Sequence, residues 1–305
     1  MSKIIDANLT HNNLIFPTAY TEENQVTLFP GDCEEFLNSL PRNSLQLVVT
    51  SPPYNVGKEY ETNMPFEEYI TWQDRIIGLC IDKLKDQGSI CWQVGNYVDR
   101  KSKNEIFPLD IYLYDSFKSR GMQLRNRIIW HFGHGLHANN RFSGRYETIL
   151  WFTKTDDYVF NLDPIRVPQK YPGKKAYKGE KAGQYSSNPL GKNPADVWEI
   201  PNVKSNHIEK TEHPCQFPIS LINRLILSMT NENDLVFDPF MGVGTTQAAA
   251  VLNRRRTAGC ELFPSYFNIA TTRVSQAIRN ELVYRDDKPV YQPPSGTPLT
   301  TNPFK

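Results

Sequence analysis

Short apolar runs alternate along this chain with stretches whose apolar residues recur every three or four positions. Val26-Thr27-Leu28-Phe29 reads as a strand ending at Gly31-Asp32-Cys33, and Glu34 to Leu40 as a helix stopped by Pro41. Leu45-Gln46-Leu47-Val48-Val49 is nearly continuous in apolar residues, as expected of a parallel strand buried on both faces. Ile70, Ile76, Ile77, Cys80, Ile81 and Leu84 fall at helical spacing over Tyr69 to Lys85, with Gly88 just past the expected end. Ile90 to Val94, Arg127 to His131 and Thr148 to Phe152 read as further strands, and Leu109 to Lys118 as a helix. Beyond residue 212 the pattern predicts a helix at Pro218 to Met229, a strand at Leu235 to Phe237 and a helix at Thr245 to Leu252. A strand at Arg256 to Glu261 and a last helix from about Pro264 to Leu282 follow. Strands and helices in such alternation predict an α/β fold, a mostly parallel sheet with helices on both faces.

Between Thr155 and Glu212 the periodicity fails, and Pro, Gly, Lys, Asn and Tyr take over. A stretch of about 58 residues is too long for a passive connection, so a small module or a functional insertion is expected there. After Asp286 the chain is rich in Pro, Thr and polar residues, and a flexible tail is expected over 286–305. At 305 residues, 39% hydrophobic and 22% charged, the chain can bury one large core. Its N-terminus has no apolar signal region, and no apolar run nears the roughly 18 residues that span a bilayer. A cytoplasmic protein is expected. The five cysteines form no C-x-x-C pair and sit mostly in apolar runs, which argues against a disulfide framework or a structural zinc.

A net charge of +1 excludes nothing, but its distribution is uneven. Between Arg166 and Lys192 the basic residues, Lys174, Lys175 and Lys178 among them, face the single acid Glu180 and are interleaved with Tyr171, Tyr177 and Tyr185. Such a stretch suits phosphate contacts; a solvated, mobile loop is the plainer alternative. Arg254-Arg255-Arg256 reads as a solvated helix end favoured by the dipole. His131, His134 and His137 recur every third residue, but Gly133 and Gly135 argue against a rigid helix that would hold all three on a metal. No metal site is expected. A loop at the edge of a base or DNA pocket fits better, with Asn139, Asn140 and Arg141 suited to phosphate or base-edge contacts.

Two segments carry candidate chemistry. Gly242-Val243-Gly244, after a strand and before a helix, lets backbone N–H groups approach a ligand closely. A phosphate-binding P-loop requires Lys after the last glycine, and Thr245-Thr246 stand there instead. The next strand ends at Glu261, placed to bind ribose hydroxyls as in a dinucleotide fold. Thr50-Ser51-Pro52-Pro53-Tyr54 stops the Leu45–Val49 strand at a rigid turn. An exocyclic base amine is a poor nucleophile until it is bent toward tetrahedral geometry. Hydrogen bonds to Ser51 Oγ and the Pro52 carbonyl would aim its lone pair, and the prolines add no competing N–H. Tyr54 would stack on the base, a contact worth roughly 1–3 kcal/mol.

Gly31-Asp32-Cys33, Thr50 to Asn55, Arg145-Tyr146-Glu147, His213 to Pro218 and Asp238 to Thr246 resemble, in that order, the signature blocks of the β-group DNA amino-methyltransferases. This resemblance implies a Rossmann-like S-adenosylmethionine-dependent methyltransferase fold with S-adenosyl-L-methionine as cofactor. It divides the chain into a catalytic half at 1–154, a target-recognition insertion at 155–212, a cofactor half at 213–285 and the tail. It implies that Gln216, Phe217 and Pro218 enclose the methionine part of the cofactor, that Asp32 lies near its adenine, and that Asp238, Phe240, Gly242, Gly244 and Thr245 form its loop. Ser at the head of the motif is similar to cytosine-N4 members; Asp is usual in adenine-N6 members, which remain the alternative. The implied activity is site-specific methylation of double-stranded DNA with base flipping, in a monomer or homodimer alongside a cognate restriction endonuclease. An RNA or protein-glutamine methyltransferase is contradicted by the block order, and a catalytically inactive DNA-binding module by two intact blocks.

Overall fold

A computed structural model describes residues 13–55, 64–99, 105–133, 135, 137–204 and 207–285. The tail at 286–305 and His134 lie outside the described residues. The centre is an eight-stranded sheet in the order β1 (Val26–Phe29), β10 (Arg256–Cys260), β9 (Leu235–Asp238), β2 (Leu45–Thr50), β3 (Leu84–Val94), β7 (Tyr146–Thr153), β6 (Gln123–His131) and β8 (Val197–Glu199). From β1 to β3 every pairing is parallel; β7 runs antiparallel to both β3 and β6, and β8 lies parallel to β6. The expected Rossmann-like architecture is the one observed. The reversal at β7 follows from the connection before it, since the described residues between 132 and 145 contain no helix to carry a parallel crossover.

Two-sided burial explains the apolar runs. Val48, Ile90, Trp92 and Phe237 join one core with helices α1 (Cys33–Ser39), α2 (Phe66–Lys83) and α3 (Leu109–Lys118). Their neighbours Leu47, Val49, Cys91 and Val236 join a second core with α4 (Ile219–Met229), α5 (Thr245–Leu252) and the end of α6 (Pro264–Ile278). All six residues of β2 are buried. At roughly 1.5–3 kcal/mol for each large aliphatic side chain, these central strands anchor both layers.

Several boundaries depart from the sequence reading. Gly88 lies inside β3, where a Cβ would come within 3.0 Å of the Gln46 carbonyl oxygen, and the β2–β3 register shifts between Leu45 and Leu47. It marks an irregular close approach of two strands rather than a helix end. The last helix stops at Ile278, just before Asn280 turns left-handed at φ 56°. A hairpin of β4 (Asn96–Asp99) and β5 (Glu105–Pro108) has no counterpart in the sequence reading. Its Tyr97 and Phe107 pack against Phe66 and Tyr112.

Part of the 155–212 segment is woven into the sheet: β8 extends its edge, and Trp198 sits in the second core beneath the Arg224 guanidinium, 4.7 Å from its ring centroid. Nor is the arginine triplet a uniformly solvated helix end. Arg255 donates to the Thr230 and Asn253 carbonyls, and Arg256 lies over the Tyr20 ring, while Arg254 is exposed. Among the described residues no helix is long and apolar enough to cross a membrane.

Candidate functional site

Because β2 and β9 are parallel neighbours, with Leu47 opposite Val236 and Val48 opposite Phe237, the turns that follow them open at the same C-terminal edge. That edge is the usual ligand crevice of an open α/β sheet. A cavity of about 220 Å³ lies there. Ser51, Pro52, Pro53 and Tyr54 line one side of it, and Phe240, Gly242, Thr245 and Glu261 another. Asp32, Gln216 and Phe217 also face it.

Asp238, Pro218 and Gly244 do not line the cavity; each shapes it from behind. Asp238 is buried, and its Oδ1 accepts from Thr50 Oγ1 at 2.6 Å and from the Phe240 N–H at 3.0 Å, while its Oδ2 accepts from Thr246 Oγ1 at 2.8 Å. It thus ties β2 to the glycine turn. Burial raises its carboxyl to about 6 against those hydrogen bonds. Pro218 caps α4. Gly244, at φ 71°, lets α5 lie against α6, since a Cβ there would sit 3.0 Å from that of Ala270.

Gly242 is also left-handed, at φ 53°, and a Cβ would face the His213 imidazole at 3.4 Å. His213 packs edge-on against Tyr266, and burial lowers its pKa to about 4, so it is a neutral floor to the turn. Behind the turn, the buried Arg273 donates to the Val243 carbonyl at 2.6 Å and to Thr245 Oγ1 at 3.0 Å. Glu261 caps the next turn by accepting from the Phe263 N–H at 2.7 Å. Burial raises its carboxyl to about 7. Asp32 is the N-cap of α1 and accepts from the Glu34 N–H at 2.7 Å. The Gln216 amide is held by Thr211 and the Glu209 carbonyl, which fixes the turn that brings Phe217 to the cavity.

On the side of the Ser51 turn, Ser51 Oγ lies 2.9 Å from the Tyr54 hydroxyl, which donates to Glu147 Oε2 at 3.1 Å; Gln93 donates to the same oxygen at 2.7 Å. The Tyr54 ring lies against Gly95, where a Cβ would be 3.2 Å away. Trp72 and Tyr266 line the cavity without having been singled out in the sequence, where isolated aromatics read as core, and His213 lines it as the first residue of the His213 to Pro218 block.

Arg141, Lys174, Lys175 and Lys178 are exposed and away from the cavity lining. Residues 167–192 form an excursion closed at its base by a bridge between Val167 and Lys192, with Lys175 opposite Tyr185 further out. Among the described residues, no three His, Cys, Asp or Glu side chains converge as a metal site.

This fold, with the Ser51–Tyr54 turn and a glycine turn on one crevice, is the Rossmann-like architecture of a methyltransferase. The chain belongs to the DNA methylase family of N6/N4 methyltransferases, whose profile it matches over residues 45–272. It is 51% identical over 254 residues to the Type II methyltransferase M.BglII of Bacillus subtilis, covering 83% of this chain and 70% of that protein. Its fold is similar to that of the cytosine-N4-specific PvuII DNA methyltransferase, with a TM-score of 0.67 at 23% identity over 87% of this chain and 93% of the other. The Thermus thermophilus protein TTHA0409, solved with S-adenosyl-L-methionine, gives a TM-score of 0.59 at 27% identity over 82% of this chain and 95% of that one.

Proposed function

We propose that this DNA methyltransferase is site-specific and methylates the exocyclic N4 of cytosine in duplex DNA, swinging the base out of the helix to do so. The observation that carries this reading is the common cavity of Ser51, Pro52 and Tyr54 with Gly242 and Glu261. S-Adenosyl-L-methionine is the cofactor, and when bound it supplies an electrophilic methyl group on a sulfonium. The cavity residues suit it. The Gly242 turn has backbone open to a ligand, the Glu261 carboxylate can accept ribose hydroxyls, and Phe217 and Gln216 close the end toward His213. In this reading Asp32, which faces the cavity, meets the adenine edge.

The chain's own groups then prepare the amine. Ser51 Oγ and the Pro52 carbonyl accept its two N–H bonds, so that its lone pair points toward the methyl donor. The Tyr54 ring supports the base face. An amine paired within the stack cannot reach such a cavity, so the base is extrahelical. Lys174, Lys175, Lys178 and Arg141 contact phosphates, and the 155–212 segment reads the target sequence. The physiological setting is a restriction-modification pair with a nuclease acting on the same site.

The test is mass analysis of nucleosides from DNA methylated by the purified protein, together with calorimetry of cofactor binding. N4-methylcytosine is expected. N6-methyladenine alone would keep the fold and the amine chemistry and overturn the choice of base, and absence of cofactor binding would leave only a DNA-binding module.

A further inference from the structure

Glu147 lies at the start of β7, off the cavity lining, yet it ends a chain of hydrogen bonds that begins at Ser51. With Glu147 ionised, against the upward push of burial on its carboxyl, the polarity of that chain is set. Glu147 Oε2 accepts from the Gln93 amide at 2.7 Å and from the Tyr54 hydroxyl at 3.1 Å. Tyr54 has one hydroxyl proton, and it is committed to the carboxylate. At the 2.9 Å contact between Tyr54 and Ser51, the phenol oxygen therefore accepts and the serine donates. With its proton turned toward Tyr54, Ser51 Oγ keeps its lone pairs for the cavity.

We infer that Glu147 is a positioning residue that fixes Ser51 Oγ as an acceptor and so makes the site select an exocyclic amine over a carbonyl at the same position of the base. The inference deepens the proposed function and rests on its placement of the base at Ser51. It also gives a chemical reason for rejecting deaminated bases. A carbonyl oxygen would meet only lone pairs at Ser51 and the Pro52 carbonyl, and burying two acceptors against each other leaves both without a partner. The carboxylate needs no proton of its own for this, since both donors converge on one oxygen.

The test compares the wild type with Glu147→Met, Tyr54→Phe and the double variant. Two quantities are read: the single-turnover methylation rate, and the ratio of affinities for duplexes carrying the target base or its deaminated analogue. Glu147→Met is expected to lower the rate roughly tenfold and to cut the affinity ratio by a similar factor, the size of one buried hydrogen bond to a charged group. Cofactor affinity should stay unchanged. Tyr54→Phe keeps the ring and removes the link, so it should do the same, and the double variant should be no worse than either single one. An unchanged rate and ratio in Glu147→Met, or a double variant that multiplies the two effects, would overturn the inference. Should Glu147→Met fail to fold, Tyr54→Phe decides alone, and an unchanged affinity ratio there is equally fatal. A wild-type protein that transfers no methyl to DNA would instead defeat the proposed function itself.

Discussion

Around the cavity, turns that carry candidate functional groups are held by side-chain hydrogen bonds. Thr50 is held by Asp238, the Val243–Thr245 turn by Arg273, Tyr54 by Glu147, and the turn before Phe217 by the Gln216 amide. The excursion at 167–192 is built differently. Its backbone hydrogen bonds run within the segment, from Val167 to Lys192, Ala176 to Gln184 and Ser186 to Lys174, and Tyr177 stands 90% exposed at its tip. Pre-organised chemistry requires groups held to a fraction of an ångström by buried partners, whereas a surface that meets a polyanion needs charge within reach and tolerates movement. Substitutions should therefore act on folding and rate in the first region, and on salt-dependent affinity in the second.

The largest effect is expected at Asp238. Asp238→Ala removes the shared acceptor of the Phe240 N–H and of the buried Thr50 and Thr246 hydroxyls. A loss of about 3–5 kcal/mol in denaturant unfolding is expected, with cofactor affinity lost together with it. Stability within about 1 kcal/mol of wild type would show that the two turns hold their positions independently.

Next comes Ser51, where chemistry and binding part company. Ser51→Ala should slow single-turnover methylation by roughly 100-fold while changing DNA and cofactor affinity little, because its hydrogen bond matters most as the amine rehybridises. Rapid-quench kinetics with saturating cofactor measures this directly, and an unchanged rate would remove the hydroxyl from the reaction.

A smaller effect is expected at Glu261, whose carboxyl is raised to about 7 by burial. In the proposed cofactor site the ionised form accepts ribose hydroxyls, and below that pH a proton must be displaced for the cofactor to bind. Affinity should thus fall as pH drops through 7, by about tenfold between pH 8 and pH 6, as a one-unit shift below the pKa requires. The neighbouring His213, at about 4, titrates outside this window, and the buried Asp238, at about 6, at its lower edge, so the Glu261→Gln comparison separates the two carboxyls. Glu261→Gln should bind more weakly and without this dependence in calorimetry; a dependence that survives in the variant would assign it to another group.

The same contrast explains what the sequence could reveal. Buried parallel strands announce themselves, since Leu45–Val49 and Leu235–Phe237 must be apolar on both faces, and the turns after them carry residue types the chemistry needs. Ser51, Tyr54, Gly242 and Glu261 stood out for that reason, and all four line one cavity. Asp238 and Gly244 were legible as loop residues but not as braces, because a motif shows which residues recur together and not which way a carboxylate turns. Gly88 resembled a helix stop since a glycine forced by close strand approach and one that ends a helix look alike in sequence. Arg273 gave no signal at all: a lone arginine on an amphipathic helix reads as surface, and only tertiary packing buries it.

The smallest effects belong to the excursion, and there the contrast can be sharpened one charge at a time. Lys174, Lys175 and Lys178 are exposed, and Lys175 Nζ lies 5.2 Å from the Tyr185 ring centroid. Each lysine that neutralises one phosphate releases counterions on binding, so replacing it with Gln should reduce the slope of log affinity against log salt by roughly 0.9. The three together should reduce it by about 2.7 if all three reach the backbone. Fluorescence anisotropy on a labelled duplex between about 50 and 200 mM salt, the range where such slopes are resolved, measures this. Thermal stability and cofactor affinity should not move, because these side chains take no part in either core. A variant with an unaltered slope would return the excursion to an ordinary solvated surface and shift the search for phosphate contacts to Arg141 and its neighbours, while leaving the braced half of the molecule untouched.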